Sequence, residues 1–70
     1  MNKNELKAQM ARHGDTNMSL AKAMKMSYAA FSAKLNSKKI FKQSEIQIIV
    51  DRYELTAEEI KDIFFTPQMS

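Results

Sequence analysis

The sequence predicts an all-α fold, a bundle of five short helices. Three features predict it. The 70 residues include one Gly and one Pro and are rich in Ala, Lys, Met and Ile, a balance that favours helix. No segment alternates apolar and polar residues as a half-buried strand does. Apolar residues instead recur at helical spacing, in runs that begin at capping residues.

The first helix is expected over Lys3–His13. Asn2 caps it, Glu5 stands at the capping-box position, and Leu6 and Met10 share one face at i, i+4. Gly14 stops it, with Arg12 and His13 in a last turn where positive charge is favourable. The second helix, Asn17–Met24, is capped by Thr16; Leu20, Ala21 and Met24 form its inner stripe, and Lys22 and Lys25 point outward. The third, Tyr28–Asn36, is capped by Ser27 and buries Phe31 and Leu35. A polar, basic loop, Asn36-Ser37-Lys38-Lys39, follows, and Phe41 beside Ile40 reads as a plug for the core.

The fourth helix is expected over Glu45–Tyr53, with Ser44 and Gln47 as a capping box and Ile46, Ile49, Val50 and Tyr53 facing inward. The fifth, Ala57–Phe65, begins at a second box, Thr56 to Glu59, and buries Ile60, Ile63 and Phe64. Phe65 is surplus to that stripe: it either folds back over the first helix or contacts a second copy. Pro67 ends regular structure. The reading is one domain over 1–66 and a frayed tail over 67–70.

Composition narrows the function classes. A chain this short buries only about 60% of its unfolded surface, so association with a second copy is a natural supplement. It has no Cys, hence no disulfide and no thiolate metal site. No apolar run approaches the roughly 18 residues of a membrane span, and Met1–Glu5 is too polar for a signal peptide, so the cytoplasm is the expected location. The lone His13 lacks further ligands at suitable spacing and reads as a surface or capping residue. The six Met read as core fillers and surface residues rather than a cofactor box. No Ser-His-Asp set, phosphate-binding Gly loop or paired acids in a cleft is present, so no enzyme, catalytic residue, metal, cofactor or small-molecule ligand is expected. Charge is uneven: residues 1–39 carry eight Lys and Arg against two acids, net +6, and residues 40–70 carry a net −3. The first part is a candidate polyanion surface, or else an ordinary solvated one.

Residues 17–36 have the spacing of a helix-turn-helix. Two short helices that cross steeply need a small residue where the backbones meet, here Ala21, and an apolar lock, here Leu20, Met24, Met26, Phe31 and Leu35. In that reading Ser27–Asn36 is the helix that enters the major groove; a plain αα-hairpin of a bundle without DNA-binding activity has the same pattern. The order of the five helices, and the run Leu20-Ala21-Lys22-Ala23-Met24-Lys25-Met26-Ser27, resemble the lambda-repressor-like family of phage Cro and repressor proteins. Phe31-Ser32-Ala33-Lys34-Leu35-Asn36, Ser44-Glu45-Ile46 and Leu55–Ile60 with Ile63-Phe64-Phe65 are similar to a subgroup of short Cro-like proteins from phages and prophages of Gram-positive bacteria. The family commonly has Gly where this chain has Lys25, and often Gly where it has Ser37.

The resemblance implies a Cro-like transcriptional regulator that occupies double-stranded operator DNA as a homodimer. It implies base reading by Tyr28, Ala29, Ser32 and Ala33, and phosphate contacts from Asn17, Lys34, Asn36, Lys38 and Lys39, with Lys34 also able to reach a guanine. It implies a dimer contact at Ile63, Phe64 and Phe65. Tyr28 has three open roles: reading a base, bonding a phosphate, or covering the core. The outer face of the third helix is rich in Ala and has no Arg, Gln or Glu, so specificity is expected from few contacts plus DNA shape. That thin face also admits an alternative, an antirepressor or modulator that binds a partner repressor protein.

Overall fold

The computed structural model describes residues 1–65, which form five helices and no strand: α1 (Lys3–Arg12), α2 (Asn17–Ala23), α3 (Tyr28–Leu35), α4 (Gln43–Tyr53) and α5 (Ala57–Phe64). The expected tail over 67–70 lies outside the described residues. No helix among those described is long and apolar enough to cross a membrane.

The side chains that start the helices are mostly those the sequence names. The carboxamide of Asn2, and the hydroxyls of Thr16, Ser27 and Thr56, each accept from the backbone N–H three residues on, satisfying one of the orphan donors of the first turn. Two starts differ from expectation. At α1 the return half of the box is not made, because the Asn2 N–H donates instead to the Ile63 carbonyl at 2.6 Å and ties the chain to α5. At α4 the helix begins at Gln43, not after Ser44. The Glu45 carboxylate reaches back to the Lys42 N–H at 2.8 Å, while Gln47 bonds Asp51. The anion is the stronger acceptor, so the box forms around Glu45, and Lys42 has no acceptor to return the bond.

The ends of the helices share one device. In α1, α2, α3 and α4 the chain turns left-handed at Gly14 (φ 72°), Lys25 (φ 57°), Ser37 (φ 64°) and Glu54 (φ 50°). The next N–H then bonds back five residues, as in Asp15 to Met10, Met26 to Ala21, Lys38 to Ala33 and Leu55 to Val50. One of these four positions is glycine, which accounts for the single stop visible in the sequence.

The core is drawn from every helix and from two loops. Leu6, Leu20, Phe31, Leu35, Ile49 and Ile63 are fully buried. Phe41 is the expected plug, edge-on to Phe31 at 6.1 Å and to Phe64 at 6.3 Å between ring centres. Leu55 and Gln9 are buried as well, neither of them singled out by periodicity. Gln9 is satisfied by donating to the Glu59 carboxylate at 3.0 Å, which joins α1 to α5.

Asp15, between α1 and α2, fastens the first half of the chain to α4. It accepts from Arg52 Nε at 2.7 Å and Nη2 at 2.9 Å, from the Tyr53 hydroxyl at 2.7 Å and from Ser19 at 2.7 Å. The Arg52 bonds hold the Asp15 carboxyl far below the usual carboxylate range, against the opposing pull of burial. Burial, and then the same carboxylate, push the Tyr53 phenol well above its ordinary value. His13, exposed at the end of α1, stacks on the Tyr53 ring at 4.7 Å.

Because the folded pKa of Asp15 is depressed, its contribution is complete above its ordinary value of 3.8 and drains away as pH falls below it. Asp15→Ala should cost about 1–3 kcal/mol near neutral pH, mostly by stranding the buried Tyr53 hydroxyl. In urea titrations the gap between wild type and Asp15→Asn should narrow as pH is lowered from about 6 to about 2; a constant gap contradicts the assignment.

Candidate nucleic-acid interface

The face of α3 turned away from the core follows from its period. With Phe31 and Leu35 buried, positions 29, 32, 33 and 36 lie on the other side. Tyr28, three residues before Phe31 and so on its side of the helix, is 51% exposed at the start of α3. Ala29 and Asn36 are exposed, and Ser32 and Ala33 are half-buried. Asn17, the first residue of α2, is half-buried, and Lys38 and Lys39 are exposed on the loop beyond α3.

α2 and α3 pack directly on each other, with Ala21 buried and Met26 set half-buried against the core. The turn between them is made by the left-handed Lys25, whose backbone lets the Met26 N–H return to the Ala21 carbonyl at 3.1 Å. Electrostatics single out the same pair. α1, α4 and α5 each carry an acid in the first turn, and α2 and α3 carry none. Residues 16–39 hold five Lys and no acid. Neither helix therefore has an acid of its own in the first turn, and both lie in a stretch whose charge is of one sign.

Lys34 departs from the outward position expected of it. Its side chain is 11% exposed and its ammonium lies 2.6 Å from both carboxylate oxygens of Glu45. Burial raises the Glu45 pKa, but the bonds from Lys34 and the Lys42 N–H outweigh it and the net shift is downward. The physical reason is position: the last turn of α3 abuts the first turn of α4, and a half-buried carboxylate there requires a cation. A Lys34 that left for a phosphate would strand Glu45. Of the expected dimer contacts, Ile63 is in the core, Phe64 is half-buried, and Phe65 is 67% exposed. Sequence reasoning did not single out Lys3, whose ammonium donates to Asn36 Oδ1 at 2.6 Å across 33 positions of chain, a contact with no local signal.

An apolar cleft of about 210 Å³ lies beside the loop, lined by Met1, Ile40, Phe41, Ile46 and Phe64 with Lys34 and Lys39 among its walls. Among the described residues no group of three or more His, Asp or Glu is placed to hold a metal ion.

These features define a small all-helical protein with a basic, acid-free helix pair and a thin, mostly uncharged exposed face. Residues 3–67 match the family described as a protein of unknown function, DUF739, and the chain belongs to that family. No curated protein and no solved structure matches it.

The left-handed turn can be tested directly. Lys25→Gly removes the Cβ that makes φ 57° costly and should raise stability by about 1 kcal/mol, or the melting temperature by about 4–8 °C. A β-branched residue at 25 should lower it. Equal melting temperatures for Lys, Gly and Val would show that the turn is unstrained.

Proposed function

We propose that this protein is a sequence-specific DNA-binding regulator of transcription, in which α2 and α3 act as a helix-turn-helix and the bundle is lambda-repressor-like. The observation that carries the reading is the pairing of an exposed α3 face with a 24-residue stretch, 16–39, that holds five Lys and no acid. A further support is the backbone. The two positions where the Cro and repressor proteins commonly or often carry glycine, 25 and 37, are both left-handed here.

In this reading Tyr28, Ala29, Ser32 and Ala33 meet base edges, and Asn17, Asn36, Lys38 and Lys39 hold phosphates. Lys34 serves the fold through Glu45 and contributes no phosphate contact. The mechanism is occupancy: a bound regulator excludes polymerase or a competing repressor, with no chemistry. The described residues measure 27 × 25 × 21 Å, less than the roughly 34 Å of one DNA turn. One copy then reads one half-site, and a two-fold pair reads two, with the exposed Phe65 as the available apolar contact.

The exposed Ile40, at the mouth of the apolar cleft of Met1, Phe41, Ile46 and Phe64, favours a second reading in which the same bundle binds a partner repressor protein. Gel-shift titration on DNA flanking the gene separates the two. A shift by the protein alone supports the regulator; no shift, with an altered shift of the partner repressor, supports the modulator.

Two substitutions test the proposed contacts. Replacing Lys38 and Lys39 together by Ala should weaken binding to every sequence and lower the slope of log affinity against log salt by about 1.8, at about 0.9 per phosphate. An unchanged slope removes the loop from the interface. Ser32→Leu should change the base preference recovered from a random duplex pool while leaving the salt slope intact; an unchanged preference excludes direct readout at 32.

A further inference from the structure

We infer that Lys3, in the first turn of α1 and outside the helix pair, belongs to the DNA-facing surface and fixes the orientation of the Asn36 carboxamide within it. The inference rests on the DNA-binding reading above and adds a residue that neither the motif nor the resemblance supplies.

The observation is a polar chain running along the exposed side of α3. Lys3 Nζ donates to Asn36 Oδ1 at 2.6 Å, and Asn36 Nδ2 donates to Ser32 Oγ at 3.3 Å. Two segments far apart in sequence thus meet on the face formed by positions 29, 32, 33 and 36.

The chemistry of the three groups sets the direction of the chain. An ammonium has three donors and no acceptor, so it requires the oxygen of the amide and rejects the nitrogen. An Asn side chain alone is ambivalent, able to present either its carbonyl or its amino group after a half-turn. With Oδ1 held by Lys3, the amino group is the edge left to face outward. One of its two hydrogens goes to Ser32, and the other is available to an acceptor. The brace turns an indifferent amide into a donor, which suits a phosphate oxygen and repels a cation. Ser32 Oγ, having accepted from Asn36, keeps its own O–H to donate toward a base edge.

The placement of Lys3 fits this role better than a role in folding. A cation in the first turn of a helix opposes that helix's dipole. Its bond to Asn36 is exposed, and exposed polar contacts add little to stability. Its charge adds one cation beside Asn36, from outside the α2–α3 pair.

The test is fluorescence anisotropy on a labelled mixed-sequence duplex of about 20 base pairs, titrated between about 50 and 200 mM salt, with melting temperature measured on the same samples. Lys3→Ala should lower the salt slope by about 0.9 with the melting temperature held. Asn36→Ala added to Lys3→Ala should weaken binding less than Asn36→Ala does alone, because the amide has already lost its brace. Lys3→Gln removes the charge but can still donate to Oδ1. It should lose the same slope while Asn36→Ala in its background keeps its full effect, and it carries the slope test should Lys3→Ala fail to fold. If Lys3→Ala and Lys3→Gln keep the wild-type slope while the Lys38 and Lys39 replacement lowers it, the inference is overturned and the DNA-binding reading stands. A fall in melting temperature with no change in slope marks Lys3 as structural and overturns the inference equally. A wild type with no affinity for the duplex overturns both.

Discussion

The carboxylate of Asp15 takes four hydrogen bonds from Arg52, Tyr53 and Ser19, and the orientation of the α2–α3 pair follows from them. Asp15 immediately precedes the Thr16 cap, so fixing its side chain on the end of α4 also fixes where α2 enters the bundle. α3 is then set by the left-handed turn at Lys25, and its inward residues reach Phe41 and the core. The bond satisfies an electrostatic requirement at the same time. Asp15 is the acid nearest in sequence to the acid-free stretch, and Arg52 cancels its charge. In the proposed DNA-binding reading, a polyanion meeting α2 and α3 would meet Lys residues without a competing free carboxylate at the entrance.

How much of this was legible depended on whether the cause lay within a few residues of its effect. Helix starts are local. Thr16, Ser27 and Thr56 bond three residues on, so the side chain that makes the cap stands next to the run it begins. The start of α4 was misread because Ser44 offers the familiar box, and the carboxylate of Glu45 one residue later makes a stronger one with Lys42. Helix ends are local in geometry but not in composition. Gly14 announces itself, whereas Lys25, Ser37 and Glu54 take the same left-handed turn without a residue type that signals it. There the packing on either side, Met26 and Leu55 for example, holds the backbone against its preference.

The candidate interface divides in the same way. The exposed face of α3 follows from the spacing of Phe31 and Leu35 and could be drawn from the sequence. The partners of its charged and polar groups could not. Lys34 finds Glu45 eleven residues on, Lys3 finds Asn36 across 33, and Gln9 finds Glu59 across 50. Each pairing requires the relative position of two helices, and that is a property of the packed core. A lysine on an outward-looking position of a helical wheel turned inward because its neighbour was a half-buried acid, a fact absent from the wheel.

The three non-glycine left-handed ends bear on how long a molecule of this protein persists. Each holds back about 1 kcal/mol that a glycine would release, and each such unit multiplies the transiently unfolded fraction about fivefold. Together they enlarge that fraction by about two orders of magnitude in a core already small for its chain. Proteolysis drains the unfolded fraction, so the caps act as a setting on turnover. A regulator that works by occupancy acts only while it is present, and its rate of disappearance fixes how quickly a blocked site reopens. If the protein is the regulator proposed above, the backbone at Lys25, Ser37 and Glu54 places part of the timing of that switch in the local geometry of its turns.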